Sequence, residues 1–141
     1  MKTPPAPARL AVDLRAHLGS PATEAINGCT VVPPSEGPEP LHFGPAETEG
    51  AYEVIVGSFP PGHPAPPLHV HPHPDEAFYV ADGDATFQLG DREVPVTAGA
   101  LVFVPRGMPH TVWNSGDRPV RGLILISPGD AEHVFVPSEA G

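Results

Sequence analysis

Seven short apolar segments follow one another between Tyr52 and Ile126, each cut off by turn residues before it reaches the length of a helix: Tyr52–Phe59, Glu76–Ala81, Ala85–Leu89, Glu93–Val96, Leu101–Val104, His110–Asn114 and Val120–Ile126. Their β-branched and aromatic content predicts strands. The linkers Asp82-Gly83, Gly90-Asp91, Pro105-Arg106-Gly107 and Ser115-Gly116-Asp117 carry the turn chemistry that joins antiparallel neighbours. No helical pattern intervenes, so crossover βαβ units are excluded and an all-β sandwich or barrel remains. On Ala85–Leu89 the apolar Ala85, Phe87 and Leu89 share one face while Thr86 and Gln88 share the other, as expected where one side meets a core. Gly122–Ile126 is apolar on both sides, which predicts a covered strand or a subunit contact and hence a homodimer.

The rest of the chain is organised differently. With 22 Pro and 15 Gly among 141 residues the composition reaches the level of low-complexity chains. Against disorder stand 40% hydrophobic and only 17% charged residues, enough apolar surface for one compact domain. Leu10, Leu14 and Leu18 recur at four-residue spacing ahead of Gly19, which predicts a short amphipathic helix over Ala8–Leu18 behind a Pro-rich tip. The Pro-rich stretch from Pro33 to Pro45 reads as a loop or crossing segment. The expected division is therefore an N-terminal tail, helix and crossing segment over 1–45 and a barrel over 46–137.

Seven Lys plus Arg against 17 Asp plus Glu give a net charge of −10, which repels a nucleic-acid backbone. No apolar run approaches a membrane span or a signal-peptide core, so a cytoplasmic protein without a membrane partner is expected. The single Cys29 cannot form an intrachain disulfide and reads as a small buried hydrophobe.

The densest chemistry is His69-Val70-His71-Pro72-His73-Pro74-Asp75-Glu76. On an extended chain His69 and His71 project from one face about 7 Å apart, near enough to converge on one ion. Glu76 has the opposite parity, and the break at Pro72 and Pro74 would let it join them, with Phe78 and Val80 following on the same inward face. A fourth ligand should come from another strand, and His110, behind the Pro105-Arg106-Gly107-Met108-Pro109 turn, is the candidate. Three imidazoles and a carboxylate suit a divalent first-row metal with open positions. The alternative is an exposed His-Pro tract that binds metals adventitiously.

The longer pattern weighs against that alternative. These two regions resemble the cupin superfamily, small jelly-roll barrels with the motifs G(X)5HXH(X)3–4E(X)6G and G(X)5PXG(X)2H(X)3N. The first appears as His69-Val70-His71, Glu76 and Gly83, with Gly62 one residue too far ahead. The second appears in full as Gly99, Pro105, Gly107, His110 and Asn114. The resemblance spans about Tyr52–Ile126. It implies a cupin-type jelly roll in which His69, His71, Glu76 and His110 bind one metal ion, with Gly83 and Gly107 in turns and Asn114 closing the second motif. The metal could be Fe, Mn, Ni, Co, Cu or Zn. His73 shares parity with His71 and is an ambiguous imidazole. His42, His63 and His133 lie outside the motifs and read as surface or satisfied histidines, His17 carries no sign of function, and Asp75 reads as a solvated or turn residue.

By parity Phe78, Val80, Phe87, Leu89, Val102, Val104 and Val112 face inward, either filling the barrel or lining a pocket for a flat or aromatic ligand. Among cupins the chain looks like the single-domain quercetinase-like group, which implies a metal-dependent dioxygenase of an aromatic or enolic small molecule. In that reading Glu76 stays a ligand or takes the acidic hydroxyl proton as the catalytic residue. With Tyr79 expected to face outward, no second general acid or base can be named. A non-catalytic metal-dependent binding module is therefore a competing reading, and a metal-dependent isomerase or lyase is a third, because the same ligand set can polarise a carbonyl beside an acidic C–H without oxygen.

Overall fold

The computed structural model describes residues 24–35, 37, 39–129, 134 and 135. The helix expected over Ala8–Leu18, with His17, and also His133 lie outside the described residues. Strands β1 (Glu24–Ile26) and β2 (Cys29–Val31) form a separate hairpin around Asn27-Gly28, a dipeptide that favours two-residue hairpin turns. Then come β3 (Leu41–Phe43), the single-turn helix α1 (Pro45–Thr48), β4 (Glu53–Phe59), β5 (His69–Val70), β6 (Asp75–Asp82), β7 (Asp84–Leu89), β8 (Arg92–Thr97), β9 (Leu101–Val104), β10 (His110–Asn114), β11 (Val120–Ser127) and β12 (Val134–Phe135). Apart from that hairpin they build two five-stranded antiparallel sheets, ordered β3-β4-β11-β6-β9 and β12-β5-β10-β7-β8. This is the all-β architecture expected from the strand pattern, in the jelly-roll form that the motif resemblance implies.

The two-residue side-chain period turns the ladder register into rows that cross the first sheet. Inside, one row runs Glu53-Ile126-Glu76-Val104 and the next runs Ile55-Ile124-Phe78-Val102. Phe78, Val80, Ala85, Phe87, Val104 and Val120 form the buried core, with Phe87 and Phe78 packed edge to face at 5.0 Å between ring centres. Outside, the rows Leu41-Val56-Leu123-Tyr79-Leu101 and Phe43-Val54-Leu125-Ala77-Phe103 carry no charged residue. Leu101 and Phe103 are 70% and 60% exposed. The strand β11 is therefore central, covered on its inner side, while its outer Leu123 and Leu125 are exposed.

Three expectations are corrected. The segment between Pro33 and Pro45 is not wholly a loop, because Leu41–Phe43 adds an edge strand to β4, its three-residue alternation hidden in sequence by the flanking prolines. Cys29 is exposed rather than buried, since its strand belongs to the two-stranded hairpin and not to the barrel. Thr86, placed by alternation on the face away from the core, is nevertheless buried.

The β6–β7 hairpin turns at Gly83, where φ is +88° and an added Cβ would stand 2.6 Å from the Pro119 carbonyl oxygen. Positive φ and backbone contact together demand glycine there. Asn114 acts at the same end of the barrel. Its Nδ2 donates to the carbonyls of Phe59 at 3.1 Å and Arg118 at 2.8 Å, while its Oδ1 accepts from the Gly116 N–H at 2.9 Å. The last residue of the second motif thus ties strand ends together away from the histidines.

Candidate metal centre

At the opposite end, His110 lies directly across the ladder from His69 on one side and from Leu89 on the other. Their rings are 4.5 Å apart, and the His71 ring is 5.1 Å from His69 and 5.3 Å from His110. Glu76 enters from the facing sheet, one row beyond Phe78. Its Oε2 stands 2.7 Å from His110 Nε2 and 3.1 Å from His71 Nε2. The four side chains thereby each offer a ligand atom within 4.8 Å of the others, and His71, Glu76 and His110 are buried while His69 is half-buried. Ligands at about 2.1 Å from one ion stand roughly 3–4 Å from each other, so the group is the right size for one metal.

Tautomers support the same conclusion. His69 Nδ1 lies 2.8 Å from the Pro67 carbonyl and His110 Nδ1 lies 2.9 Å from the Met108 carbonyl. A carbonyl accepts only, so each Nδ1 carries a proton, and in the neutral ring it is Nε2 that holds the lone pair. For His110 that lone pair faces the Glu76 carboxylate, an arrangement that is attractive only with a cation between them, either a proton or a metal ion. Burial pushes His110 down, but the hydrogen bond to Glu76 and the Met108 carbonyl outweigh it and hold the imidazole above its ordinary value. His69 sits below its ordinary value, chiefly because burial disfavours its charged form. The residues therefore fit one divalent transition metal ion.

The approach to His110 is clamped. Arg106 donates to Asp75 from its backbone N–H and from its guanidinium, and the Gly107 N–H donates to the His71 carbonyl at 2.9 Å. Gly107 takes φ of +78° in this turn. The prolines before the first motif also contribute: the Pro66 carbonyl accepts from Thr111 Oγ1 at 2.6 Å, next to the Pro67 carbonyl that orients His69. His73 is exposed and outside the group, and His63 is exposed beside Phe59.

Glu53 is the residue that sequence reasoning missed. It lies in the Glu76 row, with Ile126 between the two carboxylates, and is buried while its Oε1 pairs with His42 Nε2. Its Oε2 finds no hydrogen-bond partner among the described residues. The available signal was its shared parity with the inward Ile55. The expected apolar lining divides. Val104 lies opposite Glu76, Leu89 lies opposite His110, and the Phe78 ring is 6.2 Å from the His110 ring, so these three border the ligands. Val80, Phe87 and Val112 lie further in, where with Phe78 they line a separate cavity, and Val102 packs half-buried against the core.

The cupin domain model matches residues 55–126, half of the chain. The chain is a cupin. A double-stranded β-helix protein of Klebsiella pneumoniae superposes on 76% of this cupin and 91% of its own length with a TM-score of 0.60 and 30% identity. The Mn(II) enzyme oxalate decarboxylase of Bacillus subtilis shares the fold over 73% of this chain and 29% of its own at 24% identity, with a TM-score of 0.61. Among curated relatives, the tetracenomycin polyketide synthase protein TcmJ of Streptomyces glaucescens is 33% identical over 60 residues, 43% of this chain and 40% of TcmJ. The oxalate-binding protein of Thermotoga maritima is 31% identical over 59 residues, 42% of this chain and 49% of its own. The matched segment covers less than half of each of these curated relatives.

Among the described residues no helix is long and apolar enough to cross a membrane.

Proposed function

We propose that this cupin is a metal-dependent dioxygenase of an aromatic or enolic small molecule, in the manner of the quercetinase-like group. The observation that carries the reading is the convergence of His69, His71, Glu76 and His110 at one end of the barrel, bordered by the apolar Phe78, Leu89 and Val104. The polyketide context in the name of TcmJ supports the substrate class, since polyketides are rich in enolic and phenolic oxygens.

A bound divalent ion supplies Lewis acidity toward a substrate oxygen and, if redox-active, a means to engage dioxygen. The chain does the rest. The Pro67 and Met108 carbonyls keep the His69 and His110 rings turned with Nε2 inward. Phe78, Leu89 and Val104 exclude water from one side of the substrate and favour a flat apolar body over a sugar phosphate. Glu76, held beside His71 and His110, is placed to accept the proton of an acidic hydroxyl.

The test is an oxygen electrode with protein reconstituted separately with iron, manganese, cobalt and nickel, against a panel of flavonols and enediols. Oxygen uptake matched to substrate loss, with both atoms of labelled dioxygen in product, is expected. Absence of uptake with every metal overturns the dioxygenase. A second reading, a metal-dependent binding module, draws on Tyr79 lying in an outer row and Asp75 being engaged by Arg106, which leaves Glu76 as the one proton-handling group named at the site. It expects tight substrate binding without oxygen consumption. Product formed under argon instead indicates isomerase or lyase chemistry.

The partner of the outer sheet face is, on the same reading, a second copy of this chain. Two uncharged apolar rows cross the five strands, with Leu101 and Phe103 in them 70% and 60% exposed, and a contiguous exposed apolar patch is the usual mark of an association surface. Because β11 runs through its centre, a twofold axis there pairs like rows with like.

A further inference from the structure

The barrel contains a second, separate space. Beyond the Phe78 row, the inward position of β4 is Gly57 and the inward position of β11 is Gly122, and the ladder sets them directly opposite each other. Two adjacent strands thus lack side chains at the same level, while the flanking levels carry Ile55 with Ile124 and Phe59 with Val120. A cavity of about 200 Å³ occupies this level. It lies two rows from Glu76, roughly 13 Å along the strands. The Phe78 and Phe87 rings stand between it and His110.

Its chemistry is one-sided. The inward side chains around it include Ile55, Phe78, Phe87, Val112, Val120 and Ile124, and none of the described residues that border it is charged. Ser58 and Tyr79, its two bordering residues with hydroxyls, belong by register to the outer face of the sheet. The exposed Pro40 lies over Gly57, close enough that an added Cβ on the glycine would stand 3.2 Å from the proline Cβ, and forms the lip where the cavity meets the surface. Gly122 cannot be replaced without disturbing backbone, since its added Cβ would fall 2.5 Å from the Tyr79 carbonyl oxygen at the register shift in the β6–β11 ladder. The gap is therefore built into the sheet.

We propose that this cavity is a binding site, independent of the metal centre, for a small uncharged apolar molecule such as a single aromatic ring or a short hydrocarbon chain. Apolar cavities of about 150 Å³ accept benzene or xenon, and the space here is of that order. A charged ligand would lose its hydration with no partner in return.

Benzene and xenon are the probes, used on the full chain with and without metal. Density for xenon in pressurised crystals beside Gly57 and Gly122, and benzene-induced shifts of the Val112 and Ile124 methyl resonances, are expected. Ile55→Phe and Val112→Phe each fill the space from a different sheet. At least one, folded by its circular dichroism spectrum, should weaken benzene binding tenfold or more. Benzoate should bind at least tenfold more weakly than benzene. Lack of xenon density together with unshifted methyls overturns the proposal, as does benzene binding unchanged in both folded variants. Binding that disappears when the metal is removed, or that a flavonol displaces, shows instead that the space belongs to the metal site.

Discussion

The Asp75 carboxylate holds Arg106 by three hydrogen bonds, from the backbone N–H at 2.9 Å, from Nε at 3.2 Å and from Nη2 at 3.1 Å. Asp75 opens the strand that carries Glu76, and Arg106 sits in the turn that leads to His110. The pair therefore fixes two ligands from different strands relative to each other. Asp75→Asn and Arg106→Ala should lower metal affinity with little change in fold, by less than the roughly 10–100-fold that follows loss of a group bonded directly to a ligand, because the pair is exposed and acts through the strand ends. Competitive titration against a chromogenic chelator measures it, and unchanged affinity in both variants refutes the clamp.

The same pair predicts a pH dependence. The hydrogen bonds from Arg106 hold the Asp75 carboxyl below its ordinary range. A carboxylate depressed in the folded state contributes stability above its unfolded pKa and loses it as pH falls through the folded one. The stability difference between the wild type and Asp75→Asn should thus be present at neutral pH and shrink below about pH 4. Both side chains are substantially exposed, so the difference should also shrink in high salt. Chemical denaturation across pH 3–7 reads both effects.

Removing a ligand should empty the metal centre. His69→Ala, His110→Ala and Glu76→Gln should each sharply reduce metal content measured by elemental analysis of protein prepared without affinity-column metals. His73→Ala should retain full occupancy, because His73 is exposed and outside the group. Full occupancy in both histidine ligand variants sinks the assignment.

Gly83→Ala should destabilise the domain by at least about 2 kcal/mol, combining left-handed strain with a backbone contact of 2.6 Å. Gly99→Ala is the comparison. It has positive φ but open space around an added Cβ, so it should cost about 1 kcal/mol. Denaturant midpoints decide between them.

Self-association should depend on the outer face. Leu101→Glu with Phe103→Glu should convert a dimer to monomer in light scattering, since both side chains are largely exposed in the single chain. A wild-type monomer across micromolar concentrations overturns the proposed dimer. A chain lacking residues 1–23 that gains association would show that those residues cover the face instead.

Much of the architecture was legible because strands and turns are local. Alternation placed Glu76, Phe78 and Val80 on one inward face, and the seven expected strands match β4 and β6 to β11 to within a residue or two at their ends. The short strands β3, β5 and β12 were not legible, since two or three residues carry no periodicity and each is held by its neighbour in the sheet. Likewise the spacing of His69, His71, Glu76 and His110 identified the ligand candidates and the turns between them. Their convergence, the Pro67 and Met108 carbonyls that set the tautomers, and the Asp75–Arg106 clamp are contacts across 2 to 34 residues whose geometry only the folded sheets decide. Glu53 and the Gly57–Gly122 gap depend on ladder register, which brings β4, β6 and β11 side by side. A single residue's side chain direction follows from its own strand, but what stands opposite it follows from the pairing, and pairing is a property of the tertiary structure.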